Sequence, residues 1–261
     1  MSKLSRQVEN QMASGAKVSA SARTHASKIS AALAALATET QGVNSPATAA
    51  VYEIVLIAGA DRLDDVSKAL YSAELKLSTE RADDVQPRMA RDMQHHALLD
   101  NLVHIRGIVE LSLGAESLKS YGLHGETPRN SARATLNHAA NVIQLMEQQP
   151  VSAITGFGTA FDTAAIVAAL KAKAGALEAS VATLETESRE LEDALTERNR
   201  AAALWSETYR GVADTLTGMY RLAGWVELAE RVRPTVRVAL GDEVVGDWPE
   251  GESGGGSAPS P

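Results

Sequence analysis

Leucine returns every seventh residue at Leu170, Leu177, Leu184 and Leu191, and no proline falls between Phe161 and Val232. An α-helix turns once in about 3.6 residues, so a seven-residue repeat stacks apolar side chains along one face every two turns. Such a seam is stable only when another helix covers it. With the leucines at d, the register continues to Trp205, Val212 and Met219. The a positions are then Val167, Ala174, Val181, Ser188, Leu195, Ala202, Tyr209 and Leu216, with Arg198 at d and Ser188 at a as the interruptions. The spacing predicts a helix over 160–220, roughly 90 Å long at about 1.5 Å per residue, and therefore an elongated molecule.

The residues flanking the seam say which partner it takes. The e positions include Lys171, Glu178, Glu185 and Glu192, and the g positions Lys173, Ser180, Glu187 and Ala194. In a parallel homodimer each g residue meets the e residue five places on in its partner. Lys173 then meets Glu178 favourably, but Glu187 meets Glu192 and repels it. The small a residues Ala174, Ser188 and Ala202 let a neighbour approach closely. Antiparallel or intrachain packing is favoured over a parallel zipper.

The rest of the chain reads as helix as well. Residues 1–44 form a basic, Ala/Ser-rich helical arm, with Ile29, Leu33 and Leu36 at helical spacing. A helical bundle is expected over 46–147. Its first helix, 46–83, carries the seam Tyr52, Leu56, Gly59, Leu63, Val66, Leu70, Ala73 and Leu77. Ile54 to Ala58 is apolar all round, which predicts burial on several sides, and Gly59 predicts a close approach of another helix or a kink. A second helix, 88–119, presents Leu98, Leu102, Ile105 and Val109, widened by Leu99 and Val103, to a bundle interior. Gly122 is expected as a left-handed helix cap, with Thr127 or Asn130 opening a short helix that ends near Glu147. Residues 148–158 read as a linker, 159–233 as the long helix and a short amphipathic one, and 234–261 as an acidic, then Gly/Ser/Pro-rich tail expected to be disordered. Within that tail Val236, Val238 and Leu240 alternate in strand fashion, with a turn at Gly241–Asp242. The fold expected is all-α: an elongated helical bundle with a long coiled-coil helix and a disordered C-terminal tail.

Composition narrows the function. Aromatic residues make up 4% of the chain, so alanine supplies much of the apolar surface and stability must come from many close helix contacts. Cysteine is absent, which excludes disulfides and thiolate metal sites. A formal net charge of −8 opposes binding to a phosphate backbone, so no nucleic-acid partner is expected. The most apolar run, Ile54 to Ala60, is far shorter than the roughly 20 residues of a membrane span. A cytoplasmic location is expected; export by a machine that reads no cleavable signal stays open.

No constellation reads as a catalytic centre. Asp92, His96, Asp100 and His104 step by four along one helix flank, beside His95. The ligand types suit zinc, but no second helix supplies a completing pair, and a solvated flank is the favoured reading. His124 between two glycines reads as a turn residue. Gly156-Phe157-Gly158 lacks the strand and the Lys-Ser/Thr ending of a phosphate loop. Arg221, Arg231, Arg233 and Arg237 are partly neutralised by Glu227 and Glu230. Trp248, in GDEVVGDWPEGE, is a candidate docking residue, because one aromatic can dominate a small interface. No metal or cofactor is expected. The function expected is that of a non-enzymatic scaffold, adaptor or assembly subunit. It would bind a protein partner or its own copies through the seam Leu170, Leu177, Leu184, Leu191, Leu195, Trp205, Tyr209, Val212, Leu216 and Met219. The alternative is a ligand-binding or effector-type bundle with a pocket near Ile54–Ile57 and Leu98–Val109. An enzyme centred on the His/Asp flank ranks third.

Overall fold

The computed structural model describes residues 4–154 and 160–242. Its elements are α1 (Arg6–Gln41), α2 (Ala49–Asp83), α3 (Val85–Leu113), α4 (Ser117–Ser120), α5 (Ala132–Gln148), β1 (Ser152–Ile154), β2 (Ala160–Asp162), α6 (Thr163–Leu222), α7 (Val226–Val232) and α8 (Val236–Leu240). The fold is all-α, with one two-stranded antiparallel hairpin. Among the described residues no helix is long and apolar enough to cross a membrane. The chain divides into two compact units, one of residues 1–79 with 193–261 and one of residues 80–192.

The first unit is built on α1, α2 and the C-terminal half of α6. Glu74 bonds Arg198, Ser67 accepts from Trp205, and Gly59 faces Val212. Going back seven and eight residues along α2 thus goes forward seven and seven along α6. The two helices run antiparallel along this stretch. A Cβ at Gly59 would lie 3.6 Å from Val212, an ordinary contact, so α6 passes near the glycine but the approach would also admit a Cβ. Within the segment expected as an arm, Arg6–Gln41 form a core helix: Val8, Val18, Ala22 and Ile29 are buried in the same cluster as Leu63, Leu70, Trp205 and Tyr209. Its buried face also holds Ser14, Gly15, Ser19, Ser21 and Ser30. Such side chains are short enough to admit bulky neighbours, and Ser19 bonds the Ala60 carbonyl at 3.3 Å while Ser21 bonds the Tyr220 hydroxyl at 3.0 Å.

The second unit packs α3, α5 and the N-terminal half of α6 around Leu98, Leu102, Ile105, Val109, Val142, Met146, Leu170 and Leu177. Pro87 lies in the first turn of α3, where its missing N–H has no intrahelical partner to lose, so the helix begins before the proline. It stops at Leu113 rather than near Lys119. Gly114 breaks it, and one further turn, α4, follows. Gly122 has φ +68°, a left-handed backbone that favours glycine, and a Cβ there would meet the tip of the Asn141 side chain at 2.7 Å, which would have to shift. The helix after this turn is capped by neither Thr127 nor Asn130. Ser131 caps it, accepting from the Ala134 N–H at 3.1 Å.

Two other segments differ from the sequence expectation. Ser152–Ile154, expected as linker, form β1 and pair with Ala160–Asp162, expected as the start of the long helix, as β2, with Ala153 opposite Phe161. Phe161 is buried in the second unit's core, which ties the hairpin down. Residues 236–240 are helix, not strand. The Thr235 hydroxyl caps α8 by accepting from the Val238 N–H at 3.2 Å, and Val238 and Ala239 are buried in the first unit's core. The ordered chain therefore runs past Pro234 into a segment expected to be tail.

Candidate interaction surfaces

Most of the leucine-register seam is consumed within the units. Leu170 and Leu177 are fully buried in the second unit, and Trp205, Tyr209 and Leu216 in the first. Val212 and Met219 are half-buried against the first core. Leu184 and Leu191 are half-buried, and Leu195 is exposed. Trp248 lies outside the described residues. The interrupting Arg198 is no flaw in the register: it meets Glu74, which is only 5% exposed, with Nε donating to Oε2 at 2.9 Å. Burial raises the Glu74 carboxyl's pKa, but the hydrogen bonds from Ser5 and the Arg198 guanidinium outweigh it, and the net effect holds the carboxyl below the ordinary range.

Apolar surface is left over elsewhere. On α2 the run read as buried on several sides is not. Leu56 is buried, whereas Ile54 is 67% exposed and Val51 and Val55 are exposed beside it. One face of α2 packs on α1 and α6, and an all-apolar run has no polar side to give to water. Ile54, Ile57, Ala50 and Ala58, with Glu53 and Asp61, line an open groove of about 500 Å³. On α3, Val85, Met89 and Met93 step by four along a solvent face, and both methionines are more than half exposed. Sequence reasoning did not single out this second stripe. Its spacing was readable, but nothing in the sequence told it from a buried one.

The titratable candidates stay apart. His95 bonds the Thr135 hydroxyl at 2.9 Å, and burial, with the positive charges of His96 and Arg91, lowers its pKa. Asp92 pairs with Arg91 at 2.8 Å. Among the described residues, the one trio of carboxylates or imidazoles converging within 4.8 Å is Glu80, Glu187 and Glu190. Asp92, His96, Asp100 and His104 form no such group. Desolvation and the nearby carboxylates of Glu190, Glu80, Asp83 and Asp84 push the Glu187 carboxyl up. The two segments suggested for a shared pocket, Ile54–Ile57 and Leu98–Val109, belong to different units. Arg221 and Arg233 both pair with Glu230.

No family model matches the chain, and no curated protein and no solved structure matches it either.

Proposed function

We propose that the chain is a non-enzymatic interaction protein of the cytoplasm, a helical scaffold, adaptor or assembly subunit that binds a protein partner or its own copies. The observation that supports this reading is the pair of solvent-facing apolar stripes, Val51/Ile54/Val55 on α2 and Val85/Met89/Met93 on α3. The α2 stripe sits on a helix whose other face is buried in the first unit, and α3 buries its core residues further along, from Leu98 to Val109. Apolar residues at helical spacing on an otherwise polar surface suit a helix laid alongside or into a groove, and exposed methionines suit adaptable contacts. The test is solution mass by light scattering across a range of concentrations. The wild type is expected above the mass of one chain, and Ile54→Asp or a Met89→Asp/Met93→Asp variant is expected to lower it with helicity intact. A wild-type mass of one chain throughout would rule out self-assembly.

A ligand-binding bundle remains the second reading, supported by the groove beside Ile54 and Ile57. Its volume falls within the range of small-molecule sites. A small-molecule panel that raises Tm in the wild type but not in Ile54→Asp would favour it.

A further inference from the structure

Helix α8 has five residues, too few to hold itself in water. Its last carbonyls, like those of any helix, lack intrahelical donors. Side-chain amides on one face of α1 supply them. Gln7 Nε2 donates to the Leu240 carbonyl at 2.7 Å, Asn10 Nδ2 to Gly241 at 2.9 Å, and Gln11 Nε2 to Ala239 at 3.4 Å. Gly241, at φ +80°, comes so near that a Cβ would lie 2.5 Å from the Gln7 carbonyl oxygen.

Gln7 has a second engagement. Its Oε1 accepts from the Arg198 guanidinium at 3.3 Å. Arg198 Nε in turn holds Glu74 Oε2, and Glu74 Oε1 accepts from the Ser5 N–H at 3.0 Å. One unbroken line of hydrogen bonds therefore runs from the C-terminal carbonyl of α8, through α1 and α6, to a buried carboxylate on α2 and back to the start of α1. All of these residues belong to the first unit. A primary amide serves two masters only in one orientation: with its N–H on Leu240, its oxygen faces Arg198.

We propose that α8 is a releasable strap whose docking is coupled, through the side chain of Gln7, to the Glu74–Arg198 ion pair that fixes α6 against α2. When α8 is released, the Gln7 amide loses its orienting acceptor and Arg198 loses a stable third contact. When the ion pair is broken, Gln7 loses its own acceptor and α8 is held less well. Linkage makes the two effects reciprocal. A binding event that draws α8 away from α1 would thereby loosen the end of the three-helix packing where α1 begins.

The experiment uses the full chain and two local readouts. Amide hydrogen exchange at Ala239, Gly241 and Asp242, whose N–H groups bond within α8 and its cap, reports docking. The NMR titration of the Glu74 carboxyl carbon reports the ion pair. Arg198→Met, which keeps bulk and removes charge, is expected to speed α8 exchange by roughly fivefold or more. In a Gln7→Leu background the same substitution is expected to have no further effect on α8. Gly241→Ala, which releases the strap, is expected to move the Glu74 titration toward the ordinary carboxylate range. Thr235→Ala, which weakens α8 from its other end, is expected to do the same and serves where Gly241→Ala misfolds. Unchanged α8 exchange in Arg198→Met would overturn the coupling. So would an Arg198→Met effect that persists in full without Gln7, or a Glu74 titration indifferent to strap release.

Discussion

At the scale of single residues, Glu74 and Arg198 form an ion pair that is largely shielded from water. Arg198→Leu leaves a carboxylate buried without its cation, a change that costs about 3–5 kcal/mol, measurable as a lower urea midpoint. Replacing both partners with leucine is expected to recover most of that loss, since two apolar groups leave no unpaired charge behind. The acid response follows from the direction of the shift. Glu74 is held below its ordinary pKa, so its contribution is present above the unfolded value and disappears as pH falls through the folded one. Arg198→Leu is therefore expected to flatten the acid side of the stability profile below about pH 4.5. The His/Asp flank gives a second residue-scale prediction. Purified protein is expected to carry no stoichiometric zinc, iron or manganese by elemental analysis. About one metal per chain, lost in a His96→Ala/His104→Ala variant, would revive the enzyme reading.

At the scale of elements, α6 is the most exposed to a single change. Leu184→Pro removes a backbone donor and sets its ring against the preceding turn, costing about 3 kcal/mol or more; circular dichroism and solution mass are expected to register the loss. This helix was legible because seven-residue periodicity persists over many turns, and the ends of α5 were nearly so because serine and proline punctuate them, whereas α3 stops at Gly114, ahead of the expected end near Lys119. Short elements were not. In Val236–Leu240 five residues satisfy neither period decisively, and the Thr235 cap with docking on α1 decided for helix. The hairpin of β1 and β2 is set by Phe161 reaching a core that sequence alone does not locate. Ile54 misled for a related reason. A run of continuous apolar residues carries no phase, so it names a helix without saying which side meets water. The Arg198 interruption was visible in the register, but its partner Glu74 lies 124 residues away along the chain, and only the folded packing brings them together.

At the scale of the whole molecule, truncation after Glu250 is expected to leave Tm unchanged by calorimetry, since residues 251–261 are Gly, Glu, Ser, Ala and Pro, with no large apolar side chain to bury. The division of the chain into units carries a further consequence for how it is made. Residues 80–192 form one unit and are contiguous, whereas the other unit joins residues 1–79 to a segment beginning at Asp193. A ribosome therefore delivers α1 and most of α2 first, then 113 intervening residues (80 through 192), and only afterwards the half of α6 bearing Trp205 and Tyr209. At roughly 5–20 residues per second that interval is on the order of 6–20 s. The inserted unit can complete its own packing while the earlier helices, with Leu63 and Leu70 still uncovered, wait for the C-terminal half of α6. Nascent chains of this protein thus pass through a stage in which the last unit to close is the one that was begun first.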